Sequence, residues 1–160
     1  MGRWSSSQRS GQVNNAEFLA WLHQAIPLTE AMQIDELEYS GHSVRLSAPL
    51  APNINDKGTG FAGSIAGLAT LCGWTLLTLW LRERGVDADV MIAKSEQRYL
   101  APVTDRLIAE AVLPEDEVVG QFWERFQDKR RARLPISVTV GGAEVKLELF
   151  GDYAAIERTR

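Results

Sequence analysis

Between Lys57 and Arg82 the chain carries no charged side chain, a run of about 24 residues. As a helix this run would extend ~36 Å at 1.5 Å per residue, enough to cross the apolar core of a bilayer. It also places Gly63 and Gly67 four apart, the small-xxx-small spacing that lets membrane helices approach closely. Two solutions satisfy such a run: a membrane span, or a helix apolar nearly all round that forms the centre of a soluble core. Thr59, Ser64, Thr70, Thr75 and Thr78, with four glycines from Gly60 to Gly73, weaken the span. The rest of the chain supplies half-apolar strands that need an apolar surface to cover, so the central helix is the expectation. It should run from about Gly60 to Arg84. Gly85 is its stop, and Arg82 and Arg84 suit the negative end of its dipole.

The flanking segments read as an α+β domain. Asn14 or Asn15 can cap a short helix ending near Pro27, with Phe18, Leu19, Trp21, Leu22 and Ile26 at near-helical spacing. Residues 35–50 alternate through Leu37, Tyr39, Val44, Leu46 and Ala48, broken at Gly41-His42, as a strand or bent hairpin does. Turn formers crowd the segment from Asn53 to Gly60. Strands are predicted over 88–99 and 106–113. A second helix opens at Pro114-Glu115-Asp116-Glu117, its acidic first turn matched to the positive dipole end. Val118, Val119, Phe122 and Phe126 form its apolar stripe. Strands over 134–140 and 144–150, joined at Gly141-Gly142, complete one antiparallel sheet. Residues 1–13, polar and lacking an apolar signal core, read as a disordered leader, which leaves 14–160 as a single domain.

Charge and cysteine usage narrow the partners. A net charge of -4 argues against nucleic acid, whose phosphates need clustered cations. The single cysteine, Cys72, excludes an intrachain disulfide and a Cys-rich zinc site, and fits a reducing cytoplasm. Its apolar helical surroundings should raise its pKa and leave it inert. His23 and His42 lack ligand spacing, so no metal is expected.

Asn55-Asp56-Lys57-Gly58-Thr59-Gly60-Phe61-Ala62-Gly63 resembles the Asn-x-x-Gly-Thr-x-Phe-Gly-Gly approach to the central helix of hotdog-fold acyl-CoA thioesterases. Tyr99-Leu100-Ala101-Pro102-Val103 and the strand after it resemble a strand crossing of the same superfamily. The finer pattern, Asn53 to Thr59 with Trp74 in the helix, is similar to the YiiD C-terminal type of thioesterase domain over roughly residues 15 to 155. The resemblance implies a curved antiparallel sheet wrapped around the long helix. It also implies a homodimer, or a higher oligomer, with sites at the subunit interface, and an acyl thioester of coenzyme A or of acyl-carrier protein as substrate. No cofactor is implied beyond the coenzyme A moiety of that substrate. Fatty-acid metabolism is the setting.

Residue by residue, the resemblance places catalysis at Asn55, Asp56, Gly63 and Ser64, and substrate contacts at Gly58, Thr59, Phe61, Thr70 and Trp74. Free amides at positions 61–64 could polarise the thioester carbonyl, as helix N-termini do for anions. Asn55 would orient water or the carbonyl; its bland alternative is a turn or cap residue. One departure matters: related enzymes carry Asp or Glu about seven residues after the second motif glycine, where this chain has Thr70. A hydroxyl is too weakly basic to replace a carboxylate. Asp56 is the nearest acid, useful if the turn aims it inward, and otherwise a solvated turn residue. Ser64 sits in no nucleophile elbow and reads as a helix-start residue or carbonyl contact. Lys94, Arg98 and the run Lys129-Arg130-Arg131-Ala132-Arg133 could meet coenzyme A phosphates or simply be solvated. Thr70 keeps a second function open, an acyl-thioester-binding domain without hydrolysis.

Overall fold

The computed structural model describes residues 13–159. The leader expected before residue 14 lies outside these, apart from Val13, which packs against the core. Two short helices open the chain, α1 (Asn15–Ala25) and α2 (Pro27–Ala31). The Asn14 side chain caps α1 by accepting from the Glu17 amide at 3.1 Å, and Pro27 sits at the first position of α2, where its missing N–H costs nothing. Next come β1 (Glu36–Tyr39), β2 (Ser43–Ala48), a 3₁₀ turn at Ala51–Asn53 and the long helix α3 (Ala62–Glu83). Beyond Gly85, which stops α3 with φ +71°, follow β3 (Ala88–Tyr99), β4 (Leu107–Val112), α4 (Asp116–Lys129), β5 (Arg131–Val140) and β6 (Leu147–Glu157).

Among the described residues the six strands form one antiparallel sheet in the order β1-β2-β4-β5-β6-β3. It wraps α3, which packs against β2, β3, β4, β5 and β6. This is the α+β hotdog architecture expected from the sequence. Leu68, Ala69, Cys72, Leu76, Leu77 and Leu79 of α3 are buried against Leu46, Leu107, Leu134 and Leu149 of the strands. Length and composition would let α3 cross a membrane, but 67% of its most apolar stretch is buried inside the domain. Each large aliphatic side chain buried this way contributes about 1.5–3 kcal/mol, so the charge-free run is the core itself.

Two boundaries differ from the sequence reading. The last strand starts at Leu147 and continues to Glu157, because Leu147, Leu149, Gly151, Tyr153 and Ala155 keep the inward alternation through a glycine that looked like an end. The Gly141-Gly142 pair is not a two-residue hairpin. Residues 141–146 form a wider loop, closed by the Lys146 amide donating to Val140 O at 2.7 Å. β5 also begins three residues early, since Arg131 and Arg133 face outward while Ala132 and Leu134 face the core.

Cys72 is fully buried, its Sγ 3.4 Å from Val44 O, and burial pushes the thiol from its ordinary 9.0 up to about 12. Burial likewise raises the phenols of Tyr39, which also donates to Glu83 at 2.7 Å, and of Tyr153. These acids stay protonated in the fold while the unfolded chain ionises. Their contribution to stability is therefore complete below pH 9.0 and falls as pH climbs toward about 12. A thiol reagent should label Cys72 only as fast as the domain unfolds, measured by comparing the labelling rate with the unfolding rate at pH 8 (about one unit below the ordinary thiol range). Rapid labelling of the native protein would contradict this burial.

Candidate active site

The loop before α3 is tied almost entirely to itself. Asn55 Nδ2 donates to Thr59 Oγ1 at 2.9 Å and to Gly60 O at 3.2 Å. Its Oδ1 accepts the amides of Lys57 at 2.8 Å and Thr59 at 3.1 Å. Gly58 supplies the positive φ (+79°) that this tight ring requires. Asn53, buried and given no role by the sequence, fixes the loop to the body by donating to Met32 O and Pro49 O, both at 2.9 Å. Its own carbonyl takes the Phe61 amide at 2.7 Å, and the Gly60 amide donates to Val103 O at 2.7 Å. Asn55 thus builds the loop rather than reaching out of it. Asp56 is aimed outward, its side chain 80% exposed and paired with Lys57 at 2.9 Å.

This anchoring leaves a defined set of free donors. The Phe61 amide, one of the four expected, is consumed by Asn53. The amides of Ala62, Gly63 and Ser64, the first three of α3, have no acceptor among the described residues, and no side chain caps them. Three convergent N–H groups at the positive end of a 22-residue helix favour a partial negative charge on a bound oxygen. The Phe61 ring, 53% exposed, lies over Gly63 so closely that a Cβ there would stand 2.5 Å from its Cε1. Tyr99, at the end of β3, brings its hydroxyl within 3.4 Å of Ala62 O.

An apolar groove of about 400 Å³ begins one turn into α3, at Ala66, and is open to solvent on one side. Ala66, Gly67, Thr70, Leu71 and Trp74 form its floor, with Ile92 of β3 and Ile26 at the α1–α2 junction as walls. Gly63, Gly67, Thr70 and Trp74 recur at i, i+4, i+7 and i+11, so the groove follows the helical face headed by Gly63, while the free amides point along the axis out of the helix end. Thr70 contributes the one hydroxyl of this lining. Its backbone carbonyl accepts from Tyr153 Oη at 2.8 Å. Trp74 Nε1 donates to Val90 O at 2.8 Å. No carboxylate lines the groove, and among the described residues no group of three or more acidic, His or Cys side chains is placed to hold a metal ion.

Other sequence candidates lie elsewhere. His23 Nε2 meets Ile34 O at 2.8 Å in a structural contact, and His42 is exposed on the β1–β2 turn. Lys94 and Arg98 share the outward face of β3 with Glu96, which pairs with Arg98 at 3.3 Å. The basic run ends α4 and starts β5. Arg131 is level with Ile156 and hence with Asp89, ten residues of β3 from Tyr99, or ~33 Å at strand rise. Within one chain it lies far from a ligand held at the head of α3. Ile26 and Ile92 went unassigned to the groove from sequence, though each sits in an apolar pattern that packing alone would explain.

The profile of the family described as "Putative thioesterase (yiiD_Cterm)" matches residues 15–157. Among solved structures, a "putative thioesterase" from Shewanella oneidensis is 32% identical with a TM-score of 0.78, covering 88% of this chain and 96% of that one. A protein of unknown function from Chlorobaculum tepidum is 26% identical with a TM-score of 0.82, covering 89% of this chain and 94% of that one. A thioesterase from Haemophilus influenzae, 13% identical with a TM-score of 0.69 over 92% of this chain and 93% of that one, shares the fold.

Proposed function

Because the chain belongs to the YiiD C-terminal thioesterase family, we propose that it hydrolyses an acyl thioester, of coenzyme A or of acyl-carrier protein, at the head of α3. The observation that carries this reading is the nearness of the unpartnered amides of Ala62, Gly63 and Ser64, at the head of α3, to an apolar groove that begins at Ala66 of the same helix. In this reading the acyl chain lies in the groove and the thioester carbonyl oxygen receives the amides. Water adds to the carbonyl carbon, the C–S bond breaks, and the products are a carboxylate and a thiol. Preorganised donors of this kind are worth roughly 10²–10³ in rate each. Gly58 and Thr59 shape the turn, Phe61 covers its mouth, and Gly63 and Ser64 give donors. Asn55 holds all of these in place.

We further pair two copies through β3. Among the described residues this twelve-residue strand is bonded only to β6, carries Met91 42% exposed, and supplies Ile92 to the groove's wall. Such an edge is a ready template for a second strand, and a partner there would close the groove. A single cysteine, which can form no disulfide within the chain, suits work in the cytoplasm.

The absence of a carboxylate from the groove, with Thr70 at its centre, favours a second reading in which the thioester is bound but not cleaved. A panel of acyl-CoA substrates followed by free-thiol detection separates the two. Saturable thiol release by the wild type, unchanged in His42→Ala, is the expected result. Saturable binding with no release at any chain length would replace hydrolysis by binding alone.

A further inference from the structure

The groove has a built end. Trp74 is pinned by its bond to Val90 O, and the Trp21 ring stacks on it at 6.3 Å with an interplanar angle of 11°. Phe18 stands 6.3 Å from Trp74 on the α1 side, and the Arg82 guanidinium lies 4.6 Å over Trp21. Past Trp74 the same face of α3 is therefore covered by α1. Two stacked indoles, one of them hydrogen-bonded to a strand, form a stiff wall. The floor ahead of that wall is open by design of the sequence, since a Cβ on Gly67 would meet no atom within 4 Å.

We propose that this wall makes the groove a length ruler, with Trp74 as its stop, so that the substrates are medium-chain acyl thioesters. The inference rests on the thioester reading above and sharpens its substrate class. Eleven residues separate Gly63 from Trp74, which is ~16 Å of helix at 1.5 Å per residue. The indole takes the last few ångströms. A saturated chain advances about 1.25 Å per carbon, given C–C bonds of about 1.5 Å, so the groove holds about ten carbons. Longer chains must bend out into solvent. Trp74 acts here through the length it permits and touches the chain end rather than the reacting carbonyl.

The test measures binding of non-hydrolysable S-alkyl coenzyme A thioethers, from roughly four to roughly eighteen carbons, alongside thiol release from the matching thioesters. In the wild type, affinity should rise by up to about fourfold per methylene and level off near about ten carbons. Trp74→Ala should move the plateau to longer chains, raising the affinity ratio of sixteen-carbon over eight-carbon ligands at least about tenfold. Gly67→Leu should move it to shorter chains. That substitution projects into open space, so it carries the test even where Trp74→Ala unfolds the domain. A plateau at the same length in every folded variant, or affinity still climbing past sixteen carbons in the wild type, overturns the ruler. Chain-length discrimination without thiol release would leave the ruler standing and remove hydrolysis. Thiol release with a flat chain-length profile would do the reverse, and failure to bind any thioether would remove both.

Discussion

Replacing Gly73 by alanine is expected to destabilise the domain by about 3 kcal/mol or more, at the upper end of what overpacking costs. A Cβ at that position would stand 2.3 Å from Tyr153 Oη and 2.4 Å from its Cζ. The obstacle is neither a loose side-chain tip nor an exposed group. Tyr153 is fully buried, its hydroxyl is committed to Thr70 O, and the same ring atom, Cε2, lies 2.7 Å from where a Cβ on Gly73 and a Cβ on Gly151 would be. This clamp holds one edge of the ring against two glycines, one on the core helix and one on β6, with no room to step toward either. Moving it would also orphan a buried phenol, which adds the desolvation penalty of an unmade hydrogen bond. Gly67→Ala, in the same helix but facing open groove, gives the opposite result: about 0.5–1 kcal/mol of added stability from helix propensity. Urea denaturation of the two variants checks the pair. Near-wild-type stability in Gly73→Ala would mean that the Tyr153 ring is not held as described.

The same contrast explains what was legible in the sequence. A charge-free run flanked by alternating segments can be enclosed by a sheet or by lipid, and the abundance of half-apolar strands already pointed to the sheet. Element order followed from periodicity, because burial on one face is what both alternation and helical spacing record. The clamp was not legible, since Gly73, Gly67 and Gly63 look alike in a helix and their partners lie eighty residues or more away, in the groove, or next door. Loop ends were also hidden. Gly151 reads as a strand stop until Tyr153 is seen to need its missing side chain. At the candidate site, the motif from Asn55 to Gly63 located the helix head, but not the division of labour within it. That the Phe61 amide is spent on Asn53 while the next three remain free depends on a buried asparagine that no spacing rule marks.

Asn55→Ala should lower kcat by about 10²-fold while leaving KM nearly unchanged. The side chain ties four groups of one short loop, Lys57 N, Thr59 N, Thr59 Oγ1 and Gly60 O. Removing it frees the turn that sets where Ala62, Gly63 and Ser64 point, and a shift of about 1 Å in donors aimed at a reacting carbonyl is enough for a loss of that size. The groove from Gly67 to Trp74 is built by α3, β3 and the α1–α2 junction, so acyl binding has no reason to follow. The stability loss should be modest, about 1–2 kcal/mol for a half-exposed turn that keeps its other anchors. Asn55→Asp keeps the oxygen that accepts the two amides and loses the two Nδ2 donors, and should fall between wild type and alanine. Asp56→Asn provides the internal comparison. Its carboxylate faces solvent and pairs only with Lys57, an arrangement of little energetic weight, so activity should stay within about threefold. A loss in Asp56→Asn matching that of Asn55→Ala would instead make Asp56 the general base and require the turn to rotate it inward on binding. A rise in KM with kcat preserved in Asn55→Ala would place Asn55 on the ligand rather than on the loop.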